Sequence, residues 1–271
     1  MGSKISLKNH INSVICHLKK DEIEDSYVMA KPGNFTNLET LASSYSGMEF
    51  VLIPSGEFDM GASSEEKGRS DSESSLHKVT IKNPFYMGKY PVTQKQWEKI
   101  MGNNPSHFKG EARPVEMVSW NEVQEFVNKL NAAEETDKYR VPSEAEWEYA
   151  CRAGTQTRYS FGGDESKLNE YAWYAENSGS KTHSIGRKNP NLWGLYDMHG
   201  NVWEWVQDKW QENYIVSPPD GSVWEDGNSF YRGSRGGSWY CDTKSCRSAS
   251  RFGRDPESLF SNLGFRLLRE L

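Results

Sequence analysis

Ten tryptophans share this 271-residue chain with 23 glycines and 11 prolines, and that pairing limits the folds open to it. Large stiff rings bury far more area per residue than Val or Ala, so a few of them close a core. Gly and Pro meanwhile interrupt regular structure at short intervals. Hydrophobic residues make up only 35% of the chain. The expectation is an irregular α+β domain of short strands and flanking helices rather than a helical bundle.

Charge narrows the function. Lys and Arg number 32 against 38 Asp and Glu, a net charge of −6, which weighs against a general nucleic-acid surface because phosphate neutralisation needs a basic face. No apolar run approaches the ~20 residues that span a bilayer. Met1-Gly2-Ser3 leads straight into polar, basic sequence, which reads as an expression scar in place of a targeting segment. The cysteines are Cys16, Cys151, Cys241 and Cys246, too few for a disulfide framework in a chain of this length.

Along the chain, Ile11, Val14, Ile15 and Leu18 fall at i, i+3, i+4 and i+7, predicting an amphipathic helix from Ile5 to about Ala30. Lys31-Pro32-Gly33-Asn34 breaks it, and a polar linker is expected up to residue 47. Phe50–Ile53, Val79–Ile81 and Phe85–Met87 read as strands, and residues 62–76 as an exposed Ser- and Glu-rich loop. Three helices open with one chemistry: Thr93 with Gln96, Ser119 with Glu122 and Ser143 with Glu146 each fit a capping box. Trp147 stands one turn before Cys151, which places that thiol in the core. From Tyr159 onward short aromatic segments replace helical periodicity.

Seven segments occur in a fixed order: Phe50–Gly61 (FVLIPSGEFDMG), Tyr90–Trp97 (YPVTQKQW), Pro114–Trp120 (PVEMVSW), Arg140–Gly154 (RVPSEAEWEYACRAG), Gly194–Trp205 (GLYDMHGNVWEW), Arg235–Trp239 (RGGSW) and Asn262–Leu267 (NLGFRL). The set resembles the formylglycine-generating enzyme, or sulfatase-modifying factor, family from Met48 to Leu271. The resemblance implies a C-type-lectin-like fold of short antiparallel sheets over residues 48–271, behind a helix and linker at 1–47. Bottom-up reading agrees in part. Gly236-Gly237 suits positive φ or close approach, Phe265 and Leu267 share a strand face, and Arg247, Arg251 and Arg266 read as scaffold donors for the carbonyls of a loop-rich fold.

The founding activity implied by the resemblance oxidises a sulfatase cysteine with copper(I) held by two cysteines, and Cys241 and Cys246 match their placement. Soft thiolates suit that ion. Against an oxidase, the segment after the second cysteine reads Cys246-Arg247-Ser248-Ala249-Ser250-Arg251, not the Arg-Tyr-Arg type of the active enzymes.

The same stretch also resembles the variable proteins of diversity-generating retroelements, that of treponemes above all. Fixed positions (Trp239, Cys246-Arg247, Ala249, Arg251, Asp255-Pro256, Asn262, Gly264–Arg266) alternate with Tyr240, Cys241, Asp242, Thr243, Ser248, Ser250, Phe252, Gly253, Arg254, Ser258, Leu259, Phe260 and Ser261. In those systems adenines of asparagine codons are randomised, and each interspersed residue belongs to the reachable set. Aromatics among Ser, Gly and Asp also make the composition of a paratope, and bare rings are costly to display without purpose. The favoured expectation is a non-enzymatic display protein binding a proteinaceous ligand through a region at about 235–267, at a cell surface and lipid-anchored if it meets a membrane at all.

Smaller signals remain. Asp197–Glu204 (DMHGNVWE) resembles the family's calcium loop, with carboxylates from Asp197 and Glu204 and carbonyls from Gly200 and Val202; a hydrogen-bonded turn without metal is the competing reading. His183 and His199 read as structural, since neither has metal-ligand spacing.

Overall fold

The computed structural model describes residues 38–226 and 228–271. The helix expected over Ile5–Ala30 lies outside them. The strands are β1 (Thr40–Ala42), β2 (Glu49–Ile53), β3 (Gly56–Met60), β4 (His77–Ile81), β5 (Phe85–Gly88), β6 (Tyr139–Arg140), β7 (Trp203–Lys209), β8 (Arg232–Arg235), β9 (Arg251–Arg254), β10 (Leu263–Gly264) and β11 (Leu268–Arg269). The α-helices are α1 (Gln94–Met101), α2 (Trp120–Ala133), α3 (Glu144–Arg152) and α4 (Leu168–Tyr171). One sheet runs β1-β2-β5-β11-β6, a second β10-β7-β8-β9, and β3 pairs with β4. This is the expected α+β architecture. One boundary differs: β1 pairs antiparallel with β2 inside the segment read as linker. Leu41 packs against the core, so this short strand seals the sheet edge.

All three capping boxes form. The N-cap amides of Thr93, Ser119 and Ser143 donate to Gln96, Glu122 and Glu146 at 2.9, 2.8 and 2.7 Å, satisfying donors that a helix start leaves orphaned. Tryptophans carry the core as composition requires. Trp97, Trp147 and Trp205 are fully buried, and each indole N–H finds an oxygen: Asn103 Oδ1, Glu204 Oε2 and the Val118 carbonyl, at 3.1, 2.7 and 3.0 Å.

Between the aromatics runs a buried ionic lattice. Arg251 forks onto Glu144 at 2.6 and 2.7 Å, Arg266 onto Glu204 at 2.6 and 2.8 Å, and Arg247 onto Glu73 at 2.5 and 2.6 Å. Glu148 accepts from both Arg152 and Arg235. The same guanidiniums donate to the carbonyls of Gly61, Ser72, Gly88, Tyr196, Gln211, Ala249 and Ser250. The scaffold reading of Arg247, Arg251 and Arg266 therefore stands. Residues 62–76 are only partly the exposed loop expected, because Glu73 is buried as the counter-ion of Arg247.

His199 props the C-terminal region from below. Its Nδ1 donates to the Cys246 carbonyl at 2.9 Å, and its Nε2 accepts from the Ser160 amide at 3.1 Å. These bonds fit the neutral ring, and burial pushes its pKa down to about 4.

Two outcomes are expected. Replacing Glu204 by Gln leaves the wholly buried Arg266 without a counter-charge, and denaturant unfolding should show a loss of about 3–5 kcal/mol. His199 holds its proton more weakly folded than unfolded, so its stabilisation is complete above about pH 6.5 and is lost as pH falls toward 4, by about 3 kcal/mol. Stability measured between pH 7 and 4.5 should fall more steeply for the wild type than for His199→Gln.

Candidate functional site

β9 is an edge strand of its sheet, and strand alternation divides its four residues between two faces. Arg251 points in, onto Glu144. Phe252 and Arg254 point the other way, with Arg254 5.0 Å from the Phe252 ring centre and 5.3 Å from that of Phe260. Trp203 on β7 completes this face, 6.4 Å from Phe252 and 5.6 Å from the guanidinium. The large side chains of the predicted surface lie open to solvent. Tyr240 is 72% exposed, Phe252 54%, Leu259 49% and Phe260 45%.

What holds these rings out is backbone fixed from behind. Gly236 and Gly237 both adopt positive φ, and a Cβ on Gly237 would stand 2.7 Å from the Ser245 carbonyl and 2.8 Å from Cys246 Sγ. Only glycine permits that approach. Trp239 then packs edge-on against Phe108 and Tyr240 while its indole donates to the Ser261 carbonyl at 2.9 Å, tying the two ends of the surface together. The Met117 amide donates to the Phe260 carbonyl at 3.1 Å and the Trp120 amide to that of Pro256 at 2.8 Å.

The remaining predicted positions divide. Asp242 is exposed, and Cys241, Thr243, Gly253, Arg254, Ser258 and Ser261 are half-buried. Three depart from the expectation of outward, freely variable side chains. Ser248 is buried beside Cys151, with its amide donating to the Arg158 carbonyl at 2.9 Å. Ser250 is also buried, and its carbonyl is held by Arg235 at 2.7 Å. A Cβ on Gly253 would meet Trp210 Cγ at 2.5 Å, so glycine is what lets that indole lie flat. The two serines share one reason: residues 246–250 follow turns rather than a strand, so alternation in sequence does not become alternation of faces there, whereas Gly253 lies in β9 on the inward face it shares with Arg251.

Trp203, Trp210, Tyr231 and Phe252 wall a cleft of about 500 Å³ beside the exposed rings, with Arg251 and Ser250 in its lining. Sequence reading missed Trp210 and Tyr231. The clue available was the lone Trp210 just beyond the Gly194–Trp205 motif. Phe230, Ile215 and Val216 add exposed apolar surface that the sequence reading did not single out.

Cys241 packs against the cluster containing Cys246, and both thiols are free. Burial pushes the Cys246 thiol well above its ordinary value. The expected calcium ligands do not fit that ion. Both Glu204 oxygens serve Arg266, and one also accepts from Trp147. Asp197 accepts from the Gly186 amide at 2.9 Å and from Asn201 at 3.2 Å, and burial lifts its pKa to about 6. The carboxylates of Asp197 and Glu204 are thus committed to partners within the protein. Among the described residues no cluster of three or more His, Cys, Asp or Glu side chains is placed to hold a metal. His183 stacks on Trp173 with ring centres 3.8 Å apart.

A chaperone protein LppX of Paenibacillus barcinonensis is 31% identical over 82% of this chain and 89% of its own length. The formylglycine-generating enzyme of Mus musculus is 32% identical over 70% of this chain, which spans 52% of that enzyme. The solved structure of Treponema denticola variable protein 1 superposes with a TM-score of 0.77 at 31% identity, over 86% of this chain and 99% of the other. The sulfatase-modifying factor enzyme 1-like domain model matches residues 34–271. By sequence and by fold, the chain belongs to the formylglycine-generating enzyme, or sulfatase-modifying factor, family.

Proposed function

We propose that this protein is a non-enzymatic display protein that binds a protein ligand through Tyr240, Phe252, Leu259 and Phe260 and the polar residues between them, at positions diversified by a retroelement. The observation that carries this reading is the exposure of four large apolar side chains within 21 residues (Tyr240 to Phe260) on backbone anchored from behind by Arg235, Trp239 and Arg251. Exposed aromatic clusters of this kind are sticky, and a monomer hides them unless they serve recognition. Rigid rings lose little conformational freedom on contact, while Asp242, Ser258 and Ser261 supply adaptable polar groups. The likeness to a treponemal variable protein supports the same assignment. Surface location and a lipid anchor belong to this proposal as well.

The variable set that follows is narrower than sequence alternation suggests. Tyr240, Cys241, Asp242, Thr243, Phe252, Arg254 and Ser258–Ser261 form it, whereas Ser248, Ser250 and Gly253 are held by packing. Replacing Tyr240, Phe252, Leu259 and Phe260 together by Ser should leave the melting temperature within about 2 °C of wild type, since exposed substitutions usually stay near neutral. Ser248→Tyr or Gly253→Tyr should each destabilise by about 1–3 kcal/mol through overpacking. A large drop for the fourfold variant would place those rings in the core and defeat the reading. Sequencing the surrounding locus tests diversification: a near-copy of the 240–261 coding segment differing only at adenines, beside a reverse transcriptase, is expected.

A second reading, oxidation of a peptidyl cysteine with cuprous ion, rests on Cys241 packing toward Cys246. Soft thiolates would hold the ion, and that ion would supply the oxidative chemistry. The sealed setting of Cys246 weighs against easy deprotonation. After loading with copper(I), mass analysis of a Cys-x-Pro-x-Arg peptide should show no conversion; formylglycine in the product would establish the enzyme instead.

A further inference from the structure

Every fully buried guanidinium described above has a glutamate partner. Arg254 has none among the described residues, although it sits half-buried at the centre of the exposed rings. Its Nε donates to Ser234 Oγ at 3.2 Å, and its two terminal nitrogens have no hydrogen-bond acceptor among the described residues. The nearest acids in sequence are occupied elsewhere: Asp255 accepts from the Glu257 amide at 2.9 Å, and Glu257 accepts from the Asn121 side chain. Burial without a counter-charge pushes the guanidinium below its ordinary range, yet it stays charged at any physiological pH.

The guanidinium lies 5.0, 5.3 and 5.6 Å from the ring centres of Phe252, Phe260 and Trp203, within the range where cation–π attraction holds it among them, and its terminal nitrogens are left to meet a ligand. A planar fork held in place matches a carboxylate bidentately. We infer that Arg254 is the specificity centre of the surface and takes an Asp or Glu side chain of the protein partner, flanked by an apolar residue that settles on Phe252, Leu259 and Phe260. The inference rests on the binding reading above and adds the chemistry of the partner. A carboxylate fits better than a phosphate because the neighbouring Asp255 and Glu257 would repel a doubly charged group more strongly than a singly charged one.

A random linear peptide library selected on the immobilised protein tests this. Clones are kept if binding is lost on the protein carrying the four Ser substitutions, and their affinities are then measured on wild type, Arg254→Gln and Arg254→Lys. Enrichment of Asp or Glu beside an apolar residue is expected. Affinity should fall about tenfold or more on Arg254→Gln, with partial rescue by Lys, as befits a charge-assisted pair. The melting temperature of Arg254→Gln should match wild type, so that weaker binding is not unfolding. Surface-dependent clones without acidic residues, or with equal affinity for Arg254→Gln, would overturn the inference while leaving the binding reading intact. Failure to select any surface-dependent clone would count against both.

Discussion

Buried arginine–glutamate pairing is the interaction on which the rest of this structure depends. Helix α3 is its hub, presenting Glu144 to Arg251 and Glu148 to Arg152 and Arg235. Such pairs return little net stability, because desolvating two ions costs about what their attraction gives back. Their value here is geometric. Long stretches of this chain have no sheet or helix ladder to satisfy their carbonyls, and an arginine whose charge is already matched offers its spare donors to several at once. The segment from Ala249 to Arg251 is held this way from inside.

A surface fixed from behind can be apolar in front without rearranging. Trp239 bridges to the Ser261 carbonyl while its ring supports Tyr240, and Trp203 backs Phe252. The cost of ordering this segment is therefore met during folding, which is the physical content of preorganisation. The same rigidity separates positions whose side chains are free from those the frame uses. Gly253 belongs to the second group because Trp210 occupies the space a Cβ would need.

Much of this was legible in the sequence. Three capping boxes located their helices because the reciprocal bonds are local, and the tryptophan count anticipated a core of large rings. The exposure of Tyr240, Phe252, Leu259 and Phe260 was anticipated from the resemblance to retroelement variable proteins, with a paratope-like composition in support. Other features were hidden because they depend on distant partners. Nothing near Glu73 marks it as the counter-ion of Arg247, 174 residues away. Glu204 reads as a calcium ligand until Arg266 is seen across it. Ser248 and Ser250 looked like alternating surface positions, but period-two reasoning holds only in strands, and their segment turns. β1 was invisible because three residues carry no period.

The order of strands gives the exposed segment an unusual guarantee. β10 and β11 follow it in the chain, yet β11 lies between β5 and β6 inside the five-stranded sheet, and β10 runs parallel to β7. Arg266, between them, neutralises Glu204. A chain cut short or thrown out of frame anywhere in 240–261 would lose an interior strand and leave a buried carboxylate bare, so it could not complete its fold. Folding itself thus checks the segment: whatever residues stand in 240–261, only a chain translated intact through it can complete the two sheets.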